Sequence, residues 1–526
     1  LLGGSWLTAF ASDLGHGKFD GAWLVQNFEN QNPANTLWTK PYNLYSKIDT
    51  EAPRYLGFER WWGGHVNLNA EEIQFIVDEL FVGNNLAAGK IQTSDGTAVD
   101  LRNIRSPIVA FCSKGDNVTP PQQALGWILD LYESVDEIRS YGQTIVYTIH
   151  ESVGHLGIFV SGGVAKKEHG EFSSNIDLID TLPPGLYEAV FDAKAGDTAN
   201  PDLAAGNWVM RCEARTLDDI RALGGNDAAD ERRFATAARV SETNLALYRT
   251  FAQPMVRALV SSPMAEWMHR LHPLRLQYEL CSDANPAMAS VAALAGQVRQ
   301  GRKPVNAGNP LSAFQENVSR QIVTALDAWR DANEAWAERT FLAVYGMPAL
   351  QAAFGVDPAG RHSLRSAPRS PLHRELLEAR IAELRSRMPA GGLQEAVIRA
   401  LLYVGMARAS VDERGFEAVR RIRRAHGDMP LSVFKSLVRA QFNMLLVDQN
   451  EALAAIPAML PSDRQTRLAA FELVGQALGA RGEFSVEDRK RMNEVARLFG
   501  VDAGSPASPN LALVPSTGAH GQAKVS

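Results

Sequence analysis

Two side chains with the makings of an acid–base pair stand at matching places in this sequence. Asp116 lies in Lys114-Gly115-Asp116-Asn117, and His155 lies in Val153-Gly154-His155-Leu156-Gly157, 39 residues further on. A histidine can take and return a proton near neutral pH, and a carboxylate facing it fixes its tautomer and stabilises the imidazolium. Each residue follows an apolar, β-branched run, Ile108 to Cys112 and Thr144 to Ile149, of the kind that forms buried strands. Between them Pro121 to Tyr132 has helical periodicity, with prolines at its start, where a helix tolerates them. Strand, acidic turn, helix, strand and histidine turn form the closing half of a nucleophile–acid–base triad. The crossover makes the two strands parallel, so both turns fall at the same carboxyl-terminal edge of a sheet, where open α/β sheets carry their sites.

The nucleophile is the missing member. A Gly-x-Ser-x-Gly or Gly-x-Cys-x-Gly turn would supply it, and the sequence holds neither. Ser5 follows Gly3-Gly4 but is succeeded by Trp6 and Leu7, outside a strand-turn-helix context. Ser161 comes after His155, in the wrong order, and Cys112 sits inside a strand, where it packs rather than reacts. The plain alternative keeps Asp116 as a helix cap and His155 as a turn residue. His16, His65, His150 and His169 lack partners at metal-ligand spacing, and no glycine-rich phosphate loop is present, so no metal and no cofactor are expected.

Length and composition bound the rest. At 526 residues the chain exceeds one ordinary core. Its formal charge of −6 offers no basic field to nucleic acid, and Arg420 to Arg424 reads as one solvated helix face. Three cysteines without a Cys-x-x-Cys pair point to a reducing, cytoplasmic setting. No apolar run reaches membrane-spanning length.

In order, residues 1–105 are aromatic-rich and irregular, without a convincing strand pair, and read as a helical cap or lid. Residues 106–205 hold the α/β unit and, beyond about 170, an exit linker marked by Leu182-Pro183-Pro184-Gly185. One short strand is expected near Gly206 to Arg211, with no strong strand signal downstream. Residues 206–355 read as a helical region, with Phe314, Val318, Ile322, Leu326 and Trp329 forming one apolar stripe. A Pro-, Gly- and Ser-rich linker over 355–369 leads to a helical bundle over 370–500. Its last helix opens on Ser485-Val486-Glu487-Asp488, a capping-box start, and closes at Gly500. Residues 501–526 read as a disordered tail. Two parallel strands do not make a stable sheet, so further strands must come from upstream sequence, from elsewhere in the chain or from a partner. Because the chain opens on Leu1 in structured-looking sequence, further sequence is expected before it.

Several of these residues also carry a resemblance. Asn32-Pro33-Ala34-Asn35, Trp38, Tyr42 to Tyr45, Trp61-Trp62, Asn67 to Asn69, Lys114 to Pro120 and Gly154 to Gly157 follow in order the cap and last two strands of polyhydroxyalkanoate synthases. The chain resembles still more closely a bacterial group labelled polyhydroxyalkanoate synthetase-like. Ser174 to Asp180 and Leu182 to Tyr187 extend that likeness, and the 370–500 block more loosely resembles the helical domain of TerB-type tellurite-resistance proteins. The resemblance implies an α/β fold, a partial α/β-hydrolase domain (cap plus last two parallel strands) followed by a mostly α-helical C-terminal region. It implies acyl transfer from 3-hydroxyacyl-CoA thioesters by a Cys-His-Asp mechanism, with Asp116 and His155 in the Asp and His roles. The elbow cysteine has no counterpart in the sequence, so these 526 residues are expected to lack acyl transfer by themselves and to be part of a longer protein. Implied partners are an acyl-thioester or ester substrate, with homo-oligomer formation or association with a granule surface as further options. An esterase or thioesterase on the same fold, and a non-catalytic helical scaffold with a vestigial hydrolase part, are the alternatives.

Overall fold

A computed structural model describes residues 3–225, 227–306, 308–357, 371–425 and 429–502. The expected tail over 501–526 and the linker over 355–369 lie almost wholly outside these residues. The chain divides into two compact units, each built from two separated stretches: 1–99 with 227–365, and 100–226 with 366–526.

Among its described residues the first unit has helices and one strand pair. Lys18–Asp20 (β1) runs antiparallel to Asn67–Asn69 (β2), which corrects the reading that this region held no strand pair. Each strand has three residues, too few to show a period. The unit is held together by buried acids. Asp13, 3% exposed, accepts from the Tyr248 hydroxyl, Gln253 Nε2 and Arg257 Nε at 2.7–2.8 Å. Asp20 takes both ends of the Arg275 guanidinium. Trp6, Phe10 and Tyr248 pack round Ala9 and Leu245. The apolar stripe predicted from Phe314 lies on one helix, Pro310–Tyr345, where Phe314 and Trp329 are exposed.

The second unit carries a five-stranded sheet in the order β3 (Ile108–Ser113), β4 (Thr144–His150), β5 (Gly185–Ala193), β6 (Trp208–Ala214) and β7 (Ser410–Asp412). β3, β4 and β5 are parallel, as the crossover demands, and β6 and β7 are antiparallel. The further strands that two parallel ones require thus come from elsewhere in the chain, one of the three sources expected. The sheet continues past β4 into sequence read as a linker, and β7 comes from the helical C-terminal block. The strand expected near Gly206 is β6.

β4 is the centre of the packing, buried along most of its length. Ile145 and Tyr147 point to one layer, against Leu125, Ile128 and Ile138 of the crossover helices and Leu217 and Ile220. Val146 points to the other, against Leu178, Ile179 and Leu182. A strand buried on both faces must be apolar throughout, which is why this run does not alternate. The helical block folds round its own core of Met388, Tyr403, Ile456, Val474 and Phe499. Ser485 caps its last helix with Asp488, and Gly500 ends it in the left-handed conformation at φ 62°.

Candidate active site

Parallel pairing sets Ser113 beside His150 at the ends of β3 and β4, so the loops that follow leave the sheet side by side. The β3 loop turns at once. Ser113 Oγ donates to the His150 carbonyl and accepts from the Gly115 amide, and the Lys114 amide donates to the same carbonyl at 2.9 Å. The β4 loop is folded back by His150, whose Nδ1 accepts from the amides of Ser152 and Val153. Gly115 is where the loops touch. A Cβ placed on it would stand 2.3 Å from the Ser152 carbonyl oxygen, so only glycine permits this approach.

That contact delivers Asp116 to His155. Asp116 Oδ2 lies 2.9 Å from His155 Nδ1. The carboxylate side chain is fully buried, whereas the imidazole is 29% exposed. Oδ1 accepts from the amides of Val118 and Thr119 at 2.8 and 2.9 Å. Thr119 Oγ1 donates to Oδ2 at 2.9 Å and lies 3.1 Å from His155 Nδ1. Burial opposes the charge on Asp116, but the Thr119 amide, His155, the Val118 amide and the Thr119 hydroxyl outweigh it and hold the carboxyl below its ordinary value. An ionised carboxylate at Nδ1 selects the tautomer that carries its proton there, which leaves Nε2 as the basic nitrogen.

The two residues singled out in the sequence are thus brought together. Thr119 was missed as a participant, although a Thr three residues after an Asp in a turn is a recognisable hydrogen-bonding signature. Cys112 is 1% exposed, donates to the Thr148 carbonyl, and has its thiol pushed by burial up to about 12. Burial does the same to Cys212. Cys281 belongs to the first unit, and Ser5 is buried there against Ser241. Ser161 Oγ caps its own helical turn through the Val164 amide. Among the described residues, no group of three or more His, Cys, Asp or Glu is placed to hold a metal ion.

Residues 1–388 match the profile of a family described as proteins of unknown function, DUF3141. The chain belongs to this family. A Rhizobium meliloti relative, described as an uncharacterized protein in the ackA 5' region, is 64% identical over 509 residues, spanning 96% of this chain and 69% of the relative. The poly(3-hydroxyalkanoate) polymerase subunit PhaC of Haloferax mediterranei is 23% identical over 157 residues, 30% of this chain and 29% of PhaC. This is a distant relation to the synthases. No solved structure matches the chain. Among the described residues, no helix is long and apolar enough to cross a membrane.

Proposed function

We propose that Asp116 and His155 are the acid and base of an acyl-transfer site acting on 3-hydroxyacyl thioesters. The observation that carries this reading is the fully buried Asp116 carboxylate, 2.9 Å from a partly exposed imidazole at the carboxyl-terminal edge of parallel strands. A carboxylate serving only as a turn cap needs Oδ1 and the amides of Val118 and Thr119. It gains nothing from a histidine delivered by a second loop. The distant similarity to PhaC supports the thioester as substrate.

In this reading His155 Nε2 takes a proton from a cysteine or serine nucleophile as that atom attacks the acyl carbonyl. The imidazolium then returns the proton to the leaving group, while Asp116 stabilises the charge without being protonated. In this reading Cys112 and Cys212 are not the nucleophile, because both are buried within strands, 1% and 0% exposed, out of reach of an acyl group. The same proposal draws the nucleophile from sequence outside these 526 residues, in a longer protein that includes them.

The test is release of CoA from 3-hydroxybutyryl-CoA by the full gene product, set against release of nitrophenol from a simple oxoester. Thioester turnover that falls at least ~1,000-fold in His155→Ala supports the reading, a loss of the size expected for a triad member. Turnover of the oxoester alone moves the assignment to an esterase. Absence of any turnover, or turnover indifferent to His155, removes the catalytic reading and leaves a scaffold.

A further inference from the structure

A second candidate site lies within the second unit, between the sheet and the helical block. It is a cavity of about 340 Å³. Leu178 and Leu182 line it from below β5, and Leu402, Phe434, Val438 and Phe442 line it from the bundle. Small-molecule sites occupy ~300–1,000 Å³, which sizes a guest here at about ten carbons.

The walls are apolar, yet three arginines also line the cavity: Arg139, Arg408 and Arg481. Arg408 Nη2 and Arg139 Nε are buried without a hydrogen-bond partner. Arg481 donates to the Ser410 carbonyl at 3.2 Å and stands 3.7 Å from Asp412. Among the described residues Asp412 is the one acid on the cavity wall, and it is already committed to Arg414, which grips both its oxygens. Arg408 has its own acid in Asp488 and Arg139 has Asp136, whereas Arg481 shares the single carboxylate of Asp412 with Arg414. Two guanidinium groups on one carboxylate and orphaned buried donors cost free energy, and an anionic ligand that answered both would recover it.

We propose that this cavity binds a medium-chain carboxylic acid, its alkyl chain among the leucines and phenylalanines and its carboxylate on the arginines. An alcohol of the same length would fill the space but leave the charge unanswered. An alkylammonium would add to it. Arg481 is consistent with this: burial, together with Arg408, Arg211 and Arg414, lowers its pKa despite Asp412. Binding at this cavity does not depend on the role assigned to Asp116 and His155.

The experiment is titration calorimetry of the whole chain with decanoate, decanol and decylammonium. Micromolar decanoate binding is expected, at least tenfold tighter than decanol, with decylammonium weaker still. Arg481→Met should weaken decanoate tenfold or more and leave decanol unchanged. Leu402→Trp should abolish both by filling the cavity, and His155→Ala should change neither. Arg139→Met, on a more exposed side chain, provides a second variant should Arg481→Met fail to fold. Decanoate that gives no heat, that binds no tighter than decanol, or that binds equally well to both arginine variants overturns the proposal.

Discussion

Replacing Gly115 with Ala tests the positioning of the acid–base pair without touching either member of it. The added Cβ would stand 2.3 Å from the Ser152 carbonyl oxygen and 2.5 Å from its carbon. Both are backbone atoms, so no side chain can rotate away, and carbon needs roughly 3.5 Å from its neighbours. The β3 and β4 loops must therefore part by about 1 Å. Applied to the 2.9 Å contact between Asp116 and His155, that displacement gives nearly 4 Å, beyond hydrogen-bonding range. Overpacking of this kind costs about 1–3 kcal/mol of stability. A misplacement of about 1 Å costs a catalytic group on the order of 100-fold in rate. Selective ¹⁵N-histidine labelling reads the outcome directly. In the parent protein the His155 resonances should report a proton held on Nδ1, and in Gly115→Ala they should report mixed tautomers. An unchanged Nδ1–H signature in a variant of unchanged melting temperature would refute the claim that the Gly115–Ser152 contact sets the pair.

Three further outcomes follow from neighbouring contacts. Thr119→Val removes the hydroxyl shared by Asp116 Oδ2 and His155 Nδ1. It should cost about 1 kcal/mol, or roughly fivefold in turnover, because the direct contact between acid and base remains. Burial raises the Glu413 carboxyl to about 7 from its ordinary 4.5, with Glu171 and Asp412 adding to the effect and Asn175 opposing it. Between those values the folded state holds a proton that the unfolded state has lost, so stability is highest below the lower value and falls as pH rises through the upper one. Glu413→Gln should therefore melt with the parent near pH 4 and gain about 3 kcal/mol at pH 8, checked by thermal denaturation at both. Arg399, fully buried in the helical block, donates to Gln441 Oε1 and to the carbonyls of Met388 and Ala452. Arg399→Ala strands those acceptors and should destabilise the block by about 3 kcal/mol in urea titrations.

Asp116 and His155 were legible because each follows an apolar, β-branched run, edge strand β3 and the largely buried β4. Parallel pairing then brings their loops to one edge. Gly115 was not legible as a spacer, since its importance lies in a carbonyl on another loop. β5 was hidden for a different reason. It starts directly after Pro183-Pro184, includes Glu188 and Asp192, and is followed by Ala195-Gly196-Asp197, so local turn chemistry masked a strand whose partners are β4 and β6. β7 has three residues and pairs with β6 from far along the chain, which no local pattern announces. Ser485 and Gly500 were read correctly because a cap and a left-handed stop depend on their immediate neighbours.

The most direct test of the acid–base assignment is a double-mutant cycle on thioester turnover by the full gene product. Asn at position 116 can keep the amides of Val118 and Thr119 on its oxygen while presenting an N–H to His155, which selects the wrong tautomer. Residues that act as one unit lose their effect together. Large losses are expected for Asp116→Asn and for His155→Ala, with the double variant no slower than His155→Ala alone. Losses that add in the double variant would contradict the assignment.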